Sequence, residues 1–445
     1  AEDGIRDLVR SRGLGDVYKR QPLGDIPPNA RKCLCIFALA AVLWITEAIP
    51  LYVTSFVILL LEALFLSSRE VPYSSFITPF FSPTIILFMG GYILSSALHK
   101  YKIDIVLAKK ILGTFGVKPA FISLGLMLVT AFLSMWMSNT ATTAMMITVS
   151  LPIIYSLEPD DLFRKSIILC IPFAANIGGI ATPIGTPPNA IALETLRNIS
   201  NVGTISFMKW MSFGFPITVV LLAFAWITLL FLFKPKHSSY NFEVTADSAM
   251  DKKAVFVVVI SVLTAILWLT SFKHKVPDAI VALLPVIAFL ATGILDAKDF
   301  RNIGWDVLIL LGGGLSLGVA MTKSGLSSWV ISKISFDTFS DAVALGIMST
   351  ITVALSTFMS NTATTNLLMP IVTKIPTITP LAAAIAVALG ASCAMALPIS
   401  TPPNAIAYGS NEIKVMDMVK AGIIIGVFSL IILLLFCKFL IGYFV

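Results

Sequence analysis

The chain has 445 residues, of which 57% are hydrophobic and only 12% charged, with a mean hydropathy of +0.93. Soluble domains carry roughly 25% charged residues, so this composition excludes an ordinary soluble enzyme or binding module. The net charge of +7 would point to nucleic acid in a soluble chain; in an apolar one it is expected from basic cytoplasmic loops, and no nucleic-acid partner is implied.

Residues 1–21 are charge-dense, lack the apolar core of a signal peptide and resemble read-through of a sequencing adapter, so they are set aside as a non-native-looking tail. From there, apolar runs of bilayer-spanning length are expected at 31–49, 50–67, 82–99, 165–196, 207–233, 254–272, 278–293, 304–322, 380–408 and 415–443. Two further apolar regions, 119–156 and 341–378, are each interrupted at their centre by the hexapeptide SNTATT, at Ser138 and again at Ser360. Two half-length arms meeting at a polar tip predict a re-entrant hairpin, whose irregular backbone is tolerated only inside protein or along a wet cavity. Amphipathic stretches 100–116 and 323–337 precede the hairpins and are expected at the interface. The polar segment 234–253 reads as a cytoplasmic linker.

The two halves match. Asn139 and Asn361 differ by 222 positions, as do Gly90 and Gly312; AVLWIT at Ala41 answers AILWLT at Ala265, and TPPNAIA at Thr186 recurs at Thr401. The landmarks define repeat 1 (22–233) and repeat 2 (254–445), each with five spans and one hairpin. Five is odd, so the second copy is expected upside down relative to the first. The fold class is an all-α polytopic membrane protein of two inverted-topology repeats. Such repeats are a sequence mark of secondary transporters, which bind their cargo near the midplane. With the linker inside, fifteen basic residues lie on its side against nine on the other, in keeping with the positive-inside rule. Seven more before residue 33 fall on the wrong side, a conflict that a further span ahead of them would remove.

Chemistry is expected where polar residues interrupt apolar arms. A hairpin tip exposes the first N–H groups of its second arm, which attract anions, and Ser and Asn are apt N-caps for that start. Pro187, Pro188, Pro402 and Pro403 lack N–H donors, so each TPPN breaks its helix inside the membrane and leaves carbonyls for a small hard cation. Neither motif holds Arg or Lys, so a doubly charged substrate would be balanced by cotransported sodium, helix ends and carboxamides. The two tips are therefore read as halves of one binding site. Helix-to-helix gluing by Ser, Thr and Asn is the plainer alternative. A membrane-embedded enzyme with a Ser138 or Ser360 nucleophile would need a base, and neither motif offers His, Lys or carboxylate, so no catalytic residue is assigned.

Other candidates carry less. The five cysteines lie in or beside apolar segments without metal-type spacing, and no P-loop, H-E-x-x-H or G-x-G-x-x-G occurs, so no organic cofactor is expected. Glu47, Glu62 and Asp306 are read as interfacial or packing residues. The glycines at 90–91 and 312–314 are read as close helix contacts.

At LSMWMSNTATTAMM, GGIATPIGTPPNAIA, SNTATTNLLMPI and LPISTPPNAIAYGS the chain resembles the divalent anion/sodium symporter (DASS) family, including INDY-type bacterial dicarboxylate transporters. The resemblance spans about residues 28–445 and implies sodium-coupled symport of a di- or tricarboxylate, a C4 acid such as succinate first, by an elevator mechanism in a homodimer. It implies residence in the bacterial inner (plasma) membrane. It leaves a sodium-independent exchanger or a sulfate symporter as alternatives. Carried over residue by residue, one sodium site uses Ser134, Ser138, Asn139 and the backbone at Gly185. The second uses Ser356, Ser360, Asn361 and the backbone at Ser400. Substrate carboxylates meet Asn139, Thr140, Thr186, Asn361, Thr362, Thr401 and Pro402. Family members have eleven spans and this chain offers ten, which matches the charge conflict at its start.

Overall fold

The computed structural model describes residues 26–199, 205–240, 251–333 and 340–444, with side chains to 437. The tail 1–21 and the middle of the linker, 241–250, lie outside the described residues. All regular structure among the described residues is helical, and seven helices are long and apolar enough to cross a bilayer.

Both SNTATT regions form hairpins of two helical arms. The first pairs Pro119–Ser134 with Asn139–Tyr155, the second Asp341–Phe358 with Asn361–Val372. Each second arm begins at the Asn of its SNT, as the capping argument predicts. The caps are not equivalent. Ser360 Oγ accepts from the N–H of Ala363 at 3.1 Å, whereas the Ser138 side chain makes no cap bond.

The TPPN regions differ from a simple kink. Phe163–Gly179 stops seven residues short of Thr186, and Pro187–Arg197 starts as a new helix with its prolines in the first turn. Pro380–Ser392 and Pro402–Gly409 repeat the pattern. Proline is preorganised for a helix's first turn, where a missing N–H costs nothing; it therefore starts the second half rather than bending one continuous helix. A smaller departure occurs at 278–293. There the helix is interrupted at Ala282, between Asp278–Val281 and Leu283–Ala291, because Pro285 has no N–H for the Val281 carbonyl.

Packing repeats between the halves and crosses between them. Each hairpin packs on the broken helix of its own half, Pro119–Ser134 on Phe163–Gly179 and Asp341–Phe358 on Pro380–Ser392. Each short TPPN helix then packs against the other half: Pro187–Arg197 on Asn361–Val372, and Pro402–Gly409 on Asn139–Tyr155. Trp305–Lys323 lies across Leu51–Phe65, and its glycines permit the approach: a Cβ on Gly313 would sit 2.2 Å from Ser55 Cβ. Gly90 likewise meets Ala282, at 2.4 Å from its carbonyl oxygen. Glu62 is buried in a span and accepts a hydrogen bond from Ser316, a packing role.

Ion pairs join loops and helix ends that are far apart in sequence. Lys100 meets Asp299 at 2.6 Å, Arg164 meets Glu412 at 2.7 Å, Lys165 meets Asp417 at 3.0 Å and Lys236 meets Glu158 at 3.2 Å. Outside the spans, Tyr240 donates a short hydrogen bond to Asp161, and burial with that contact pushes its hydroxyl up to about 12.

Candidate functional site

The two tips meet at one cavity of about 400 Å³. Ser138, Asn139 and Thr140 line it from the first hairpin, Ser360, Asn361 and Thr362 from the second. Gly185 and Thr186 face it from one TPPN turn, and Ser400, Thr401 and Pro402 from the other. Of the residues that the resemblance assigns to sodium or substrate, only Ser134 and Ser356 are not on its wall. They lie buried directly behind it.

Their position is duplicated. Ser134 Oγ donates to Asn139 Oδ1 at 2.5 Å and also faces the Ala175 carbonyl at 2.8 Å. Ser356 Oγ does the same to Asn361 Oδ1 at 2.8 Å and the Ala391 carbonyl at 3.0 Å. A hydroxyl has one proton for two acceptors, so each cluster holds more oxygen than its own hydrogens satisfy. Oxygen-rich clusters of this kind suit hard cations. At the first, the backbone leaves no room for anything larger: a Cβ on Gly179 would lie 2.9 Å from both Asn139 Oδ1 and the Gly185 carbonyl.

The TPPN asparagines, missed in the sequence reading, hold the breaks open. Asn189 Nδ2 donates to the carbonyls of Gly179 at 3.0 Å and Thr182 at 2.8 Å. Asn404 Nδ2 donates to those of Met395 and Leu397, both at 3.0 Å. These carbonyls are thus taken up by the fold; they are not the ones four residues before the prolines. Thr182 Oγ1 and Ser400 Oγ then tie each break to the hairpin of its own half, donating to the carbonyls of Met135 (2.5 Å) and Thr357 (2.8 Å). Asn176 joins the halves, donating to Thr401 Oγ1 at 3.1 Å and Asn404 Oδ1 at 3.2 Å, and it also lines the cavity.

First-turn residues of six helices line this cavity. Besides both SNT arms and both TPPN helices, Leu51–Phe65 contributes Pro50, Leu51 and Tyr52, and Trp305–Lys323 contributes Asp306 and Val307. Each helix start carries about half a positive charge, so an anion here is met by backbone dipoles without Arg or Lys. Neither Asn139 nor Asn361 spends its Nδ2 on a partner among the described residues, so both keep a donor for it. Asp306, expected to pack or to sit at an interface, is instead an exposed wall residue of the cavity.

A helical membrane protein with paired broken helices around an anion-suited cavity has the build of a transporter. The comparisons give the family. The sodium:sulfate symporter transmembrane region matches residues 21–442, and the chain belongs to that family of membrane transporters. An uncharacterised transporter of Haemophilus influenzae is 35% identical over 91% of both chains. The sodium-dependent dicarboxylate transporter SdcS of Staphylococcus saprophyticus is 31% identical, covering 91% of this chain and 86% of its own. In fold, the chain is similar to the YdaH transporter of Alcanivorax borkumensis, with a TM-score of 0.61 at 12% identity over 93% of this chain and 98% of that one.

Proposed function

We propose that the protein is a sodium-coupled symporter of a small dicarboxylate, a C4 acid such as succinate, held in the cavity shared by the two SNT tips. The observation that carries this reading is that both tips, both TPPN turns and first-turn residues of six helices line one cavity. Sodium ions are assigned to the two Ser–Asn clusters, with Ser134, Ser138, Asn139 and the Gly185 backbone around one and Ser356, Ser360, Asn361 and the Ser400 backbone around the other. The substrate's carboxylates are assigned to Asn139, Thr140, Thr186, Asn361, Thr362, Thr401 and Pro402. Relatives named sodium-dependent dicarboxylate transporters support both the ion and the substrate class.

Two inverted repeats, 22–233 and 254–445, would build this site symmetrically about the midplane, with 234–253 as a cytoplasmic linker. An elevator step, in a homodimer of the plasma membrane, would carry both hairpins, both broken helices and spans 207–233 and 415–443 past the rest. Sulfate is the second reading, favoured by the family's own description. Uptake of labelled succinate into proteoliposomes, with and without an inward sodium gradient and competed by sulfate and citrate, tests the proposal. Gradient-dependent uptake competed by other C4 acids is expected; uptake indifferent to sodium would refute coupling, and competition by sulfate alone would move the substrate class.

A further inference from the structure

We propose that Asp306 is the charge selector of the central cavity, setting how many negative charges an anion can bring into it. The inference rests on the symport reading above and adds a specificity residue to it. Among the residues lining the cavity, Asp306 alone carries a formal charge, and its sign is that of the cargo. It occupies the first turn of Trp305–Lys323, whose N-terminus stabilises a carboxylate there. Its side chain is exposed, with no ion-pair partner among the described residues. The attractive side of the cavity is fixed: helix dipoles, carboxamides and bound sodium ions do not vary with the anion. A fixed negative charge on the facing wall then costs more for each additional charge on the ligand. Discrimination by such a repulsive element is how a site rejects a near-relative it would otherwise hold. A dianion is admitted on the balance of these terms, and a trianion of similar chemistry is penalised.

The test compares succinate with citrate at a pH where citrate is a trianion. In Asp306→Asn, the ratio of the citrate inhibition constant to the succinate KM is expected to fall about tenfold, equivalent to about 1.4 kcal/mol. Asp306→Glu should keep the wild-type ratio, which a merely structural role would not ensure. The effect should shrink at high salt, because the carboxylate is exposed. An unchanged ratio in Asp306→Asn would overturn the proposal, as would equal weakening of both anions, or a change confined to the sodium concentration for half-maximal uptake. Thermal stabilisation of the purified protein by each anion reads the same ratio without transport. Absence of uptake by the wild-type protein would therefore count against symport, while the charge ratio would still decide the role of Asp306.

Discussion

Ser134 and Ser356 each place one hydroxyl proton between two oxygens, and this local shortage of hydrogen is the most specific chemical feature of the site. Removing either hydroxyl leaves Asn Oδ1 and a buried carbonyl without their donor. Ser134→Ala and Ser356→Ala are expected to raise the sodium concentration needed for half-maximal uptake by roughly tenfold, at about 1–1.5 kcal/mol per lost interaction. Unchanged sodium dependence in both would remove the cation assignment. Gly179→Ala is a sharper probe, since its Cβ would press on Asn139 Oδ1 and the Gly185 carbonyl at 2.9 Å. Transport should be lost in this variant and the melting temperature should fall, because the Gly185 carbonyl belongs to the backbone and does not yield cheaply; normal transport at wild-type stability would show that Asn139 has room to move. The SNT residues and the threonines and prolines of TPPN were legible in the sequence because each occurs twice in an apolar setting; the roles of Asn189 and Asn404 were not. Nor was Asn176. Its counterpart by packing, Ser392, bonds only within its own helix, to the Ala388 carbonyl, so comparison of the halves gives no hint of it. Asp306 escaped for a different reason: an acid near a span end reads as interfacial until the cavity is seen.

At the scale of elements, the broken helices decide the geometry. Proline explains why each new helix starts where it does, but not what keeps the preceding turn from closing. Asn189 and Asn404 do that, each satisfying two carbonyls from a single Nδ2. Replacement by Ala strands two buried acceptors, and at about 1–3 kcal/mol for an unsatisfied buried group a clear fall in melting temperature is expected for both Asn189→Ala and Asn404→Ala. Wild-type stability of either would mean that other groups hold the break. Hairpins, broken helices and spans were readable from apolar length and polar interruption. The interruption at Ala282 was not, because a lone Pro285 in an apolar run does not announce whether its helix bends or continues, as Pro216 in Phe207–Leu232 does.

At the scale of the whole molecule, the exchange of partners matters most. Each TPPN helix leaves its own half to pack on the other half's hairpin, so neither half can build the site alone. The periodicity of the sequence showed two copies but could not show this crossing, which arises from long-range packing between segments about two hundred positions apart. The crossing also means that the two tips cannot act as independent sites. Equilibrium binding of labelled succinate to the purified protein in sodium tests that consequence most directly. One succinate per chain is predicted, with binding abolished by Asn139→Ala and equally by Asn361→Ala; retention of half the sites at wild-type affinity in either variant would contradict a shared cavity.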